Sequence, residues 1–365
     1  MRYSDPNDAG KFRYVTLVRV ETADGIVGWG EAVTMPPETS LACKVLVEQG
    51  FAPLLSGRDA SRVRNHWQTM REHGFWAGVG GVMTLAASAV DTALWDVAGK
   101  LAGQPVHALI GGKVHDSLPA CSSVIWDTED IERTAEQFAR LSAEGYRTLK
   151  GGWGLNRDAA FGLDADRDVA LVRAVREAIG EDRDFVADVA EHACWDATRA
   201  IAMTHRLAAV GLTWIEDPLP IQDRAGLRRL RAASALPIAT GEREWTVDSY
   251  RELVRTGAVD LILIDPGRAE GLTGMKLASD HAAGHGVRVV PHSWSSAVNT
   301  AAALHVLATC PNAAAFELKE LPNQVTHDLV ARPFAHREGF IDIPDEPGLG
   351  VTVNEDVVRE LAYRG

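Results

Sequence analysis

From Leu118 onward the chain repeats one pattern of apolar and polar positions. A short apolar run ends in polar residues, and a stretch with apolar positions at i, i+3 and i+4 follows. The runs are LPACSSVIW (118–126), YRTLKGGW (146–153), DFVADV (184–189), LTWIEDP (212–218), PIATGER (237–243), LILIDPG (261–267), VRVVPHSW (287–294) and AAFELKE (314–320). The intervening stretches, such as ATRAIAMTHRLAAVG, TVDSYRELVRTGAVD and NTAAALHVLATC, predict helices with one buried face. Polar residues close the later runs at 188, 216, 242, 265, 292 and 317, about 23 to 28 residues apart, or one strand–helix unit each. Eight such units predict an α/β chain whose strands close into a parallel barrel, with an open doubly wound sheet as the competitor. Nucleotide-loop signals are weak. The glycines after Lys150 lack Gly-x-Gly-x-x-Gly spacing, and GGK at 111–113 lacks the upstream glycine and the Ser/Thr of a phosphate loop.

The first 117 residues read differently. FRYVTLVRVETADGIVGWGEA predicts two strands joined at Asp24-Gly25, a good hairpin turn, and helical stretches such as SAVDTALWDVAGKLAG follow. The tail, GFIDIPDEPGLGVTVNEDVV, is strand-like and turn-rich again. The expected division is an α+β domain over 1–117, to which 340–365 returns, and a barrel over 118–339.

Composition narrows the function. With 46% hydrophobic and 24% charged residues the chain is that of a soluble globular protein, and no window approaches the ~20 apolar residues of a membrane span. The N-terminal MRYSDPNDAGKFRY lacks an apolar signal core. Cys43, Cys121, Cys194 and Cys310 are scattered, which argues against a disulfide frame or a zinc site and for a reducing, cytoplasmic setting. A formal charge of −13 without a basic run disfavours nucleic acid. It also means that an anionic substrate must be drawn by local charge, such as a bound metal ion.

In a barrel, function collects at the C-terminal ends of the strands. Those ends carry Lys150, Asp188, Glu216, Glu242, Asp265, His292 and Glu317. Asp188, Glu216 and Glu242 on consecutive strands would converge and repel one another unless a cation held them. Three hard oxygen ligands without His or Cys suit one Mg²⁺ per subunit. Strand alternation lets only one of Glu216 and Asp217 point inward. Asp265 and His292 lie on adjacent strands, where a carboxylate on one imidazole nitrogen would fix the tautomer and raise the basicity of the other. Lys150 is open to several readings: catalytic base, Schiff-base nucleophile, or strand-end residue. His281 and His285 read as helix residues, and His66 and His73 belong to the first domain. His192, four residues past Asp188, has no assigned role.

The motifs GIVGWGEA, SAVDTALWDVAGK, the LIGG run, DFVADV, WIEDPLP, IATGER, IDPGRAEGLTG, VVPHSW and PGLGV together resemble the enolase superfamily, mandelate racemase subgroup, over nearly the whole chain. The resemblance implies an α+β capping domain, completed by the C-terminal tail, on a modified TIM barrel, (β/α)7β. It implies Mg²⁺ on Asp188, Glu216 and Glu242, an Asp265–His292 acid/base dyad, and Glu317 as a hydrogen-bond donor to the substrate carboxylate. The shared chemistry is removal of the proton α to a carboxylate. Three departures stand out. The subgroup carries Lys-x-Lys at the second barrel strand, the second lysine being a base; here Lys150-Gly151-Gly152 puts glycine at that position. The family's Asp-x-Asn reads Asp188-Val189-Ala190, and Ala190 also stands where some relatives place a histidine. The first strand of the capping sheet is missing or shortened.

With Gly152 in the lysine position one face of the α-carbon lacks its usual base. A single dyad can still dehydrate an acid sugar by syn elimination, so the expected activity is a hydro-lyase in which His292 is base and acid and Lys150 an electrostatic clamp. The rivals are an epimerase, racemase or cycloisomerase of the same superfamily, a Schiff-base aldolase on Lys150, and a non-catalytic ligand-binding protein. Arg13 or Lys11 could help hold a small polyhydroxy acid, and Trp153 and Trp76 are candidates for the pocket wall. A homo-oligomer is expected.

Overall fold

The computed structural model describes residues 1–364. Its first three strands, β1 (Arg2–Asp5), β2 (Lys11–Glu21) and β3 (Val27–Met35), form an antiparallel sheet in that order. The capping-sheet edge is thus present as a strand of four residues. The turn between β2 and β3 closes through Thr22, and Gly25 takes the left-handed conformation (φ +80°) that such a turn requires. The GIVGWGEA motif sets how the sheet packs. A Cβ at Gly28 or Gly30 would lie 2.3 Å or 2.0 Å from backbone oxygens of the helix Gly81–Ala102, so these two glycines let that helix lie directly on β3. Glu31, next in the strand, reaches away from that helix to Ser296 of the barrel.

Eight parallel strands follow: β4 (Ser117–Ile125), β5 (Thr148–Gly152), β6 (Asp184–Asp188), β7 (Trp214–Glu216), β8 (Ile238–Thr240), β9 (Leu261–Ile264), β10 (Arg288–Pro291) and β11 (Phe316–Lys319). β4 to β10 pair in chain order, and β11 pairs in parallel with β4, Glu317 opposite Cys121. A bridge from Val289 to Ala313 joins the last two strands, so the sheet curls round into a modified TIM barrel. Four of the helices between strands begin where an aspartate caps them. Asp130, Asp164, Asp196 and Asp223 each accept a backbone N–H from the first turn.

Inside the ring, Val186, Trp214, Ala239, Leu261, Leu263 and Val290 form a small apolar plug. Two residues further along four of these strands, on the same face, come Asp188, Glu216, Asp265 and His292. The register puts Gly152, Asp188 and Glu216 on one rung. The barrel therefore changes from apolar filling to charge within one pleat.

After the barrel, β12 (His336–Arg337) and β13 (Phe340–Asp342) make a hairpin, and β13 runs antiparallel on the start of β4. The last residues reach the capping sheet: Arg2 N donates to Leu361 O at 2.8 Å, and the rings of Tyr14 and Tyr363 meet edge to face. We propose that the capping unit comprises 1–117 with this returning tail. One local expectation is corrected: His281 lies on the helix Gly271–Ala283, but His285 falls in the turn beyond it, because the helix stops at Gly284.

Candidate active site

Lys150 stands at the centre of the strand ends. Its Nζ donates to Glu216 Oε1 at 2.5 Å and to Glu317 Oε1 at 2.9 Å, and lies 3.2 Å from Asp188 Oδ2. Burial alone would lower the lysine pKa, but Glu216, Glu317, Asp188 and Glu242 raise it well above the ordinary value. Lys150 therefore sits as an ammonium group among these carboxylates.

Asp188, Glu216 and Glu242 each offer a carboxylate oxygen, and these oxygens lie within 4.8 Å of one another. Asp188 and Glu216 are buried, and burial followed by mutual repulsion raises both: Asp188 to about 7, Glu216 well above its usual range. One ammonium does not balance this set, since it also serves Glu317. Asp188 Oδ1 is buried without a hydrogen-bond partner among the described residues. Converging hard oxygens, unbalanced negative charge and an orphaned acceptor fit a divalent cation with oxygen preference, Mg²⁺ above all. Asp217, beside Glu216, turns instead toward Thr240 and Arg243, with a left-handed backbone (φ +47°).

On the other side of the triad, His292 Nδ1 sits 2.7 Å from Asp265 Oδ2. That bond assigns the ring proton to Nδ1 and leaves Nε2 facing the triad, 3.9 Å from Glu242 Oε2. Burial lowers the His292 pKa, but Glu242, Asp265 and Glu317 outweigh it and lift the value to about 8. Glu317 is an acceptor on both oxygens, from Lys150 Nζ and from Ser293 N at 2.8 Å. Burial opposes its ionisation, yet Lys150 and His292 hold its carboxyl well below the usual range. In this arrangement Glu317 holds the Lys150 ammonium.

The remaining candidates scatter. Arg13 pairs with Asp8 at 2.9 Å and lies over the Trp294 ring, whose Nε1 donates to Ser123 Oγ. Lys11 pairs with Asp8 at the surface. Trp153 is half-exposed, 6.3 Å from the His192 ring, and His192 Nε2 meets Arg157 O, so neither joins the cluster. Trp76 is 94% exposed and packs edge to face on Phe75. Sequence reasoning missed Asn299, which donates to Asp265 Oδ1 from a helix after β10. A cavity of about 650 Å³ lined by Thr148, Asp184 and Thr213 opens at the opposite, N-terminal end of the strands, away from this chemistry.

Comparison with known proteins agrees with the geometry. The family model for the mandelate racemase / muconate lactonizing enzyme N-terminal domain matches residues 8–111, and that for the enolase C-terminal domain-like unit matches 133–357. The chain is 30% identical to a D-galactarolactone cycloisomerase of Agrobacterium fabrum over 356 residues, 94% of this chain and 90% of that protein. It is 31% identical to a D-galactonate dehydratase of Pectobacterium atrosepticum over 361 residues, with the same coverage. The structure of a racemase from Streptomyces coelicolor A3(2) with bound magnesium superimposes with a TM-score of 0.87 at 28% identity, covering 99% of this chain and 97% of that one. No described helix is long and apolar enough to cross a membrane. The chain is an enzyme of the enolase superfamily and belongs to its mandelate racemase / muconate lactonizing enzyme group.

Proposed function

We propose that this protein removes the proton α to the carboxylate of an acid sugar in a Mg²⁺-dependent reaction and eliminates the β-hydroxyl, giving a 2-keto-3-deoxy acid. The observation that carries the reading is the division of labour at the mouth. One imidazole has its Nδ1 committed to Asp265 and its Nε2 free, while the one lysine of the cluster is tied among carboxylates.

Asp188, Glu216 and Glu242 would hold the ion, which supplies positive charge that acidifies the α-proton of a bound carboxylate. Lys150, steadied by Glu317, places a second positive charge beside the same carboxylate. His292 takes the α-proton on Nε2, and the imidazolium is stabilised through Nδ1 by Asp265. The C–O bond at the β-carbon then breaks, and His292 returns the proton to the departing hydroxyl, which leaves as water. The enol so formed tautomerises to the keto acid. A single base on one face suffices, which fits the absence of a side chain at Gly152. The same base would serve a cycloisomerase, the reading favoured by the Agrobacterium relative.

The test is a panel of mono- and diacid sugars, including D-galactonate and D-galactarolactone, assayed with Mg²⁺ and with EDTA. We expect keto-acid formation from an open-chain acid such as D-galactonate that EDTA abolishes; keto acid from the lactone alone, where the ring C–O bond breaks and no water leaves, would replace dehydration by cycloisomerisation. Recovered substrate deuterated from D₂O without any keto acid would replace dehydration by isomerisation. No product and no exchange with any acid would sink the catalytic reading.

A further inference from the structure

Asp265 is fully buried, so water cannot share its carboxylate, and its bonds are made by three protein donors. Oδ2 meets His292 Nδ1 at 2.7 Å, while Oδ1 accepts Gly267 N at 2.8 Å and Asn299 Nδ2 at 2.9 Å. One bond on Oδ1 would leave the carboxylate free to swing about it; two converging donors fix its plane. The Asn299 amide is itself fixed, because Nδ2 also donates to Ser295 Oγ at 2.8 Å. The reverse amide orientation would set oxygen against carboxylate oxygen, so this one is required.

The helix that carries Asn299, Ala297–Ala308, is anchored in turn. Its cap residue Ser296 gives its backbone N–H and its hydroxyl to the buried Glu31 carboxylate on β3. The start of this helix is thus held on two sides by buried bonds, Ser296 to Glu31 of the capping sheet and Asn299 to Asp265 beside His292. Asn299 lies on no barrel strand and touches neither the ring of His292 nor the metal-binding carboxylates in any hydrogen bond described.

We propose that Asn299 is a positioning residue of the acid/base dyad, locking the Asp265 carboxylate so that Oδ2 stays in line with His292 Nδ1. This rests on the dyad reading above. Without the amide donor, Asp265 keeps one donor on Oδ1, can rotate, and holds His292 less firmly in the tautomer and orientation that expose Nε2. Substrate and metal contacts are untouched, so the effect falls on proton transfer and not on binding.

The experiment uses Asn299→Leu, which keeps the branched shape without the donor though with more volume, and Asn299→Ser, which shortens the side chain. Each is compared with wild type and with His292→Asn, using the panel acid that turns over fastest, and each is crystallised. We expect kcat to fall 10- to 100-fold with KM within twofold, an unchanged Mg²⁺-dependent rise in melting temperature, and a His292–Asp265 separation widened from 2.7 Å or a rotated carboxylate. An unmoved dyad, or kcat within twofold of wild type in both variants, overturns the inference. If His292→Asn itself retains full turnover, the dyad reading falls instead, while the carboxylate's displacement in the Asn299 variants still decides what Asn299 holds. Should no panel acid react, that displacement alone decides.

Discussion

Two regions of this molecule bury carboxylates, and they do different things with them. At the barrel mouth, Asp188, Glu216, Glu242 and Glu317 crowd around the single ammonium of Lys150. Along the seam between capping unit and barrel, Glu31, Asp91 and Glu270 are also buried, and burial lifts each to about 7. The seam acids have separate hydrogen-bond partners. Glu31 accepts from Ser296 N, Asp91 Oδ2 from Thr273 N at 2.9 Å, and Glu270 from Arg71 at 3.1 Å. Two of those donors are the first N–H groups of barrel helices, where a negative charge is favoured. Burial and a raised pKa therefore do not distinguish a site from a joint. Convergence does: the mouth brings three oxygens to one point, and the seam distributes its acids one per helix end or arginine.

The sharpest way to break the comparison is at the mouth. His292→Asn should lower kcat about 10³-fold, about 4 kcal/mol in the barrier, since it removes the one imidazole whose Nε2 faces the triad. Thermal stability should stay close to wild type, because asparagine can still donate toward Asp265. Retained activity in steady-state assays would mean that the mouth, too, is only a joint.

The next effect belongs to the seam and appears in stability. Asp91 has a folded pKa raised from 3.8 to about 7. Between these values the folded state holds a proton that the unfolded state has released, so stability falls as pH rises through the interval. From pH 4 to pH 6 this one group should cost about 2 kcal/mol. Asp91→Asn keeps an oxygen for Thr273 N but cannot ionise, so the slope of unfolding free energy against pH should flatten relative to wild type, with kcat unchanged. Urea unfolding at the two pH values measures it; parallel slopes in the two proteins would show that Asp91 is not the acid holding that proton.

The mouth was legible in the sequence and the seam was not, for a physical reason. Strands place every second residue on one face, so polar residues ending successive apolar runs must meet at one end of a barrel, and Asp188, Glu216, Glu242, Asp265, His292 and Glu317 do. Choosing between Glu216 and Asp217 needed the backbone, because the left-handed turn at Asp217 sends its side chain to Thr240 and Arg243. How tightly Lys150 is held was not legible either, since it depends on how many carboxylates reach the amine. Glu31 lies 265 residues from its partner Ser296, and Asn299 lies 34 from Asp265. Neither spacing has a period, and only packing of the capping sheet and helices on the barrel brings those groups together.

The smallest effect tests why the proposed chemistry has a base on one face only. Gly152 stands where the subgroup's second lysine is expected, and the structure shows no room for a side chain there. A Cβ on Gly152 would lie 2.2 Å from the backbone oxygen and 2.6 Å from the Cβ of Asp188. These are not flexible side-chain tips, so the neighbouring strand must move, and the residue it moves is the first of the three acids proposed to hold Mg²⁺. Gly152→Ala should therefore destabilise the protein by about 2 kcal/mol through overpacking and also reduce the rise in melting temperature that Mg²⁺ gives wild type. A lysine at 152 would meet the same obstacle before its amine reached any substrate, so restoring the residue type does not restore a second base. If Gly152→Ala instead proved as stable as wild type and bound Mg²⁺ equally well, β5 and β6 would have slack at this rung. The single-base chemistry would then reflect the side chain alone and not the closeness of the two strands.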